Sequence, residues 1–152
     1  MKFVKWFVVL LVAIPVVFVA GAYVRNKVAG PVGWAEDNTI KALKAKTKDP
    51  DSMVIRSSFV IQRTNDKNDT EIFICGIVDG KNGFGGYAGG TRFASRSVSS
   101  KAFGTFDTYS VEMEDWQSKA TAMQVDRLSP FESVYWNDYC VDSAHPALTA
   151  SR

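Results

Sequence analysis

The chain has 152 residues, room for one ordinary domain and not for two large ones. Its composition, 46% hydrophobic and 22% charged, is that of a globular protein and excludes long disorder. A net charge of +2 gives no strong pull toward nucleic acid. Two cysteines exclude a disulfide-dense scaffold and a four-cysteine zinc site, and a single histidine argues against histidine-rich metal centres. From this inventory no catalytic set, metal site or cofactor is expected.

Charge is unevenly spread. Lys2 and Lys5 lie at the start, and Trp6 to Val24 then runs 19 residues without a charge. As a helix that run is about 28 Å long, close to the hydrocarbon thickness of a bilayer. Residues 1–24 therefore read as a transmembrane anchor or a signal peptide, with Ala20-Gly21-Ala22 as a small-residue cleavage site in the second case. The run is longer than an ordinary signal core, which favours the retained anchor, and Pro15 kinks such a helix without forbidding a span. Beyond Lys5 there are 16 basic and 16 acidic residues, no obstacle to export. Cys75 and Cys140, following an export-like segment, read as one disulfide in an oxidising compartment. The expected location is a bacterial inner membrane, single-pass, with the C-terminal domain periplasmic. The alternative is release into the periplasm after cleavage.

Residues 25–33 read as a juxtamembrane linker broken by Gly30, Pro31 and Gly33. Trp34 to Lys46 reads as a helix. Glu36 and Asp37 in its first turn and Lys44 and Lys46 in its last match the macrodipole, and Asp49-Pro50 ends it. Met53 to Arg63 alternates as a strand, with Ile55, Ser57, Phe59 and Ile61 toward the core. Thr64 to Thr70 is a polar hairpin tip. Glu71 to Val78 is nearly continuously apolar, as a central strand covered on both faces requires, and pairs antiparallel with the first strand. After a glycine-rich loop, Thr91 to Ala94 forms a short strand, Thr105 to Met113 alternates again, and Ala120 to Arg127 is a further candidate strand.

Ser129-Pro130-Phe131-Glu132 fits a capping box with proline at the first helical position. It opens a helix on which Phe131, Val134, Tyr135 and Tyr139 share a face. Residues 143–152 read as a flexible tail. The fold class is α+β: the N-terminal membrane helix or signal segment, then, over 34–142, a small antiparallel sheet flanked by an N-terminal and a C-terminal helix. The disulfide pins the closing helix to the central strand, and a bond spanning about 65 residues is worth about 4 kcal/mol in the chain-entropy model.

The most unusual stretch is Lys81-Asn82-Gly83-Phe84-Gly85-Gly86-Tyr87-Ala88-Gly89-Gly90. Its five glycines permit positive φ and close approach. It lacks the Gly-Lys-Ser/Thr of a phosphate loop, and alanine at 88 breaks a dinucleotide fingerprint. Lys81, Asn82, Phe84, Gly85, Gly86 and Tyr87 are the candidate binding residues, set against a purely structural crossover in which the glycines pack beneath the aromatics. Gly85→Val and Gly86→Val are both expected to destabilise through forbidden backbone angles.

Asp49-Pro50-Asp51-Ser52, then Cys75-Gly76-x-Val78-Asp79-x-Lys81-Asn82-Gly83-Phe84-Gly85-Gly86-Tyr87-x-Gly89, then Phe93, resembles a group of small exported bacterial and phage envelope proteins, lipoprotein-like and of uncharacterised function. The resemblance covers Lys48 to Phe93 and the Trp136–Cys140 region. It implies an envelope-located accessory domain and brings no catalytic residues. Asp79 stands where that pattern has asparagine, and Gly90 where a bulkier residue is usual. There is no cysteine near the apolar run for lipid attachment.

Other clusters have plainer readings. Asp66, Asn68 and Thr70 mimic the start of a calcium loop, but Glu71 occupies the glycine position, so a hairpin turn is expected. Glu112, Glu114 and Asp115 are acidic without an evident partner, and Cys75 with His145 makes a poor dyad because one lies in an apolar strand. The expected function is a membrane-tethered periplasmic accessory domain, non-catalytic, that meets an envelope protein or glycan through the glycine-aromatic loop. Exclusion, lysis control or inhibition by a phage-encoded protein would suit such a domain. The alternatives are an envelope glycan hydrolase using Asp/Glu carboxylates, which needs two of them facing a cleft, and a structural spacer.

Overall fold

The computed structural model describes residues 29–87 and 89–150, so the expected anchor or signal segment at 1–24 lies outside the described residues. Among those described, no helix is long and apolar enough to cross a membrane. The chain divides after Trp34, and the unit from Ala35 onward carries the sheet.

Alternation and β-branching produce four strands: β1 (Val54–Thr64), β2 (Thr70–Asp79), β3 (Thr91–Ser100) and β4 (Thr105–Met113). They pair in chain order as an antiparallel meander. The apolar run of β2 takes an inner position, with Ile72, Phe73, Ile74, Cys75 and Gly76 all buried. Asparagine chemistry closes the β1–β2 hairpin. Asn65 Oδ1 accepts from the amides of Lys67 and Asp69, and Asn68 adopts φ 61°.

Helix α1 spans 29–46, and its part from Ala35 onward covers one face of the sheet. It begins earlier than expected, because residues 29–33 of the predicted linker are helical and proline is tolerated in a first turn. Ala35, Thr39 and Leu43, at helical spacing, are its buried side chains. Thr39 Oγ1 donates to Ser95 Oγ at 2.8 Å, which satisfies a polar pair inside the interface. Near the end of the helix, Lys46 Nζ donates to the Val111 carbonyl at 2.5 Å and to Glu112 Oε2 at 3.2 Å.

The other face carries the closing helix α3, whose Phe131–Trp136 segment winds as a π-turn before Asn137–Tyr139 returns to α geometry. The predicted capping box forms in both directions: Glu132 Oε2 accepts from Ser129 N, and Ser129 Oγ accepts from Glu132 N. In the wide turn the Asn137 amide reaches back to the Glu132 carbonyl. Phe131 consequently meets both Tyr135 and Trp136, with ring centroids 6.3 and 6.2 Å away. Val134, expected on the inner face, is exposed instead. Cys75 and Cys140 are joined as expected, Cα atoms 5.8 Å apart, in a cluster with Ala94 and Phe131.

Four other expectations change. In β1 a bulge lies between Ile55 and Ser57, so one extra residue, Arg56, reverses the alternation. Phe59 packs with the α3 cluster, whereas Ile55 and Ser58 line a groove with Thr39 and Ile40 of α1. The short strand at Thr91–Ala94 extends to Ser100, because the small serines of β3 fit beneath α1. The candidate strand at Ala120–Arg127 is instead helix α2 (Trp116–Gln124), started by Asp115, whose side chain accepts from Ser118 N. Finally, the segment expected as a flexible tail folds back. His145 stacks on Phe59 at 3.7 Å, and Asn137 exchanges two hydrogen bonds with the backbone of Leu148.

Candidate functional site: the glycine-aromatic loop

The loop spans the end of β2 and the start of β3. Its tip is a miniature hairpin that Asn82 organises. The Asn82 amide donates to the Gly86 carbonyl at 2.8 Å, and the Gly85 amide donates to the Asn82 carbonyl at 2.9 Å. Asn82 Oδ1 accepts from the amides of Phe84 (3.0 Å) and Gly86 (3.2 Å). Gly85 takes φ 81°, the left-handed residue that a three-residue hairpin loop needs. Lys81 and Tyr87 face each other across the base as an antiparallel bridge.

Gly86 has no such requirement. Its φ lies outside the left-handed region, and a Cβ there would meet nothing closer than 3.9 Å. The expectation of backbone strain holds at Gly85 and not at Gly86.

Anchors from β1 and from the turn before it hold the base. Lys81 N donates to Ser52 Oγ at 2.9 Å. Arg56, the bulge residue, reaches Asp79 Oδ2 through Nη2 at 3.0 Å while its guanidinium lies 4.9 Å from the centre of the Tyr87 ring. Asp79 is buried, and its other oxygen accepts from Gly80 N at 2.8 Å. The buried carboxylate thus forms an ion pair with Arg56. At Gly90, where φ is 86°, a Cβ would lie 2.7 Å from Ile77 Cγ2.

These anchors leave the six candidate residues together on one exposed tip. The Phe84 ring is 100% exposed and Tyr87 is 45% exposed. Beside them a pocket of about 270 Å³ is lined by Thr47, Lys48, Asp79, Lys81, Asn82 and Thr91 among others. The chemistry on offer is an aromatic platform next to hydroxyl, amide and ammonium groups. Sequence reasoning missed Arg56, since only the bulge turns it toward the loop.

The acidic candidates are engaged elsewhere. Glu112 pairs with Lys46, Asp115 caps α2, and Glu114 and Glu132 share the Arg92 guanidinium. Burial pushes the Glu132 carboxyl upward, but the Ser129 amide and Arg92 together outweigh it and hold it below the ordinary glutamate value. Cys75 is in the disulfide, which removes it as a nucleophile for His145. Comparisons with family models, with curated proteins and with solved structures return no match to this chain.

Proposed function

We propose that the protein is a non-catalytic accessory domain of the bacterial envelope that recognises an envelope protein or glycan through Phe84, Tyr87 and the adjoining polar pocket. A membrane tether at residues 1–24 places it in the periplasm. The observation that carries this reading is a fully exposed phenylalanine on a loop fixed by its own hydrogen bonds. A large ring left in water gains nothing for folding, whereas a pre-ordered aromatic loses little entropy on contact with a partner. The disulfide suits an oxidising compartment. The hydrolase alternative requires two carboxylates facing a cleft, and Glu112, Glu114 and Glu132 are instead paired with Lys46 and Arg92.

The test is site-specific photo-crosslinking in native membranes from position 84, with position 103 as control. Phe103 is also largely exposed, at 83%, but sits on the β3–β4 turn at the other end of the sheet. One discrete adduct from position 84, suppressed by Tyr87→Ala and missing from position 103, is expected. Identical adducts from both positions, or none from 84, would reject the loop as the contact.

A further inference from the structure

The β1–β2 hairpin tip and the glycine loop are built on one plan. In each, an asparagine donates its amide to the carbonyl four residues on, Asn65 to Asp69 and Asn82 to Gly86. Its own carbonyl accepts from the amide three residues on, that of Asn68 or Gly85, and both of those residues take positive φ. Its Oδ1 accepts two amides, from Lys67 and Asp69 in one turn and from Phe84 and Gly86 in the other. The residue after the asparagine differs. It is Asp66 in the first turn and Gly83 in the second, and no other asparagine of the chain precedes a glycine.

The second turn leaves the atoms of one reaction free. Asn82 and Gly83 are both exposed. Among the described residues, no hydrogen bond engages the Gly83 amide or Asn82 Nδ2. A Cβ at Gly83 would meet nothing within 4 Å, so no neighbour packs over the pair.

We propose that Asn82-Gly83 is a self-modifying site at which the side-chain amide nitrogen of Asn82 is lost as ammonia. The Gly83 nitrogen attacks Asn82 Cγ and gives its proton to water, an intramolecular step between adjacent residues. Negative charge develops on Oδ1, where the Phe84 and Gly86 amides already donate. The Cγ–Nδ2 bond breaks, the departing nitrogen takes a proton from water, and ammonia leaves behind a succinimide. Water then opens the ring at either carbonyl, giving aspartate or isoaspartate with no change of oxidation state. Glycine permits ring closure because no Cβ stands beside the attacking nitrogen, whereas the Asp66 side chain hinders it in the first turn. Both products place a negative charge next to Lys81 in the chain. Isoaspartate also adds a methylene to the main chain, inside the hairpin that fixes Phe84. The reaction does not rest on the loop's being a recognition site.

The experiment ages the full chain, in nanodiscs, in mildly alkaline buffer made with water enriched in heavy oxygen. After reduction, tryptic cuts at Arg63, Lys67, Lys81 and Arg92 put Asn65, Asn68 and Asn82 in separate peptides. Heavy oxygen is expected to enter position 82 about tenfold faster than positions 65 and 68, with isoaspartate in the product. Gly83→Asp gives the second turn the sequence context of the first, in open space. It is expected to bring position 82 down to the rate of position 65 without moving the thermal midpoint. Equal labelling at 82 and 65, or an unchanged rate at 82 in Gly83→Asp, would overturn the proposal. Neither readout uses the photo-crosslink from position 84, so this site and the loop's recognition role fail separately.

Discussion

The α3 face of the sheet and the glycine loop are both well defined, but by opposite means. The α3 face depends on links between distant parts of the chain. The disulfide joins residues separated by 65 positions. Arg63 reaches from β1 to the carbonyls of Asp138 (2.6 Å) and Val141 (2.9 Å), satisfying acceptors freed where α3 ends. Arg92 gathers Glu114 from the β4–α2 connection and Glu132 from α3, and Arg96 holds Glu71. The loop tip instead uses bonds between residues two to four apart, with long-range anchoring confined to its base at Ser52 and Arg56. Damage to the α3 face should therefore spread through the domain. Damage to the tip should stay local, which suits a pre-ordered contact surface that can change without cost to the rest of the fold.

The sharpest way to break this contrast is at its strongest link. Replacing both cysteines by alanine is expected to cost about 4 kcal/mol of stability, read from urea unfolding. A loss below about 1 kcal/mol would mean that the helix is held without the bond. Next comes Gly76→Ala. A Cβ at Gly76 would lie 2.1 Å from the Ser57 carbonyl and 2.9 Å from Ser58 Cα, both backbone atoms of β1. The edge strand must move, at a cost of about 3 kcal/mol.

A smaller effect separates charge from covalent linkage. Glu132→Gln weakens the capping box and removes one carboxylate from Arg92, for about 1–2 kcal/mol at neutral pH. The native carboxyl titrates below 4.5, its ordinary value. Its contribution is full above that pH and is lost as pH falls through the lower native value. Urea midpoints measured from neutral pH down to about pH 3 should fall less steeply in the variant than in the wild type. Parallel curves would show that Glu132 carries none of the acid sensitivity.

Much of the locked region was legible because its signals are local or binary. The capping box is a four-residue pattern, the β2 run is distinctive in composition, and two cysteines allow one intramolecular pairing. What stayed hidden depends on register. The bulge at Arg56 carries no sequence mark, so alternation placed Ile55 on the wrong face and gave Arg56 no role at the loop. Helix α2 is missed because its decisive signal, Asp115 capping Ser118, lies before the range expected as a strand. The π-turn likewise escaped, since a 3.6-residue period cannot place Tyr135 and Trp136 on one side.

The glycine tip supplies the finest test of local control. Gly85→Ala forces a side chain into φ 81° and should cost about 1 kcal/mol, although a Cβ there meets no neighbour. Gly86→Ala, one residue on, has ordinary φ and open space, so its effect should stay within about 0.5 kcal/mol. The pair isolates backbone conformation from packing, since neither position is crowded. Equal unfolding midpoints for the two variants would mean that the tip needs no left-handed residue. Unequal midpoints, with the photo-crosslink from position 84 weakened in Gly85→Ala alone, would tie the presentation of the Phe84 ring to the single turn that Asn82 and Gly85 build.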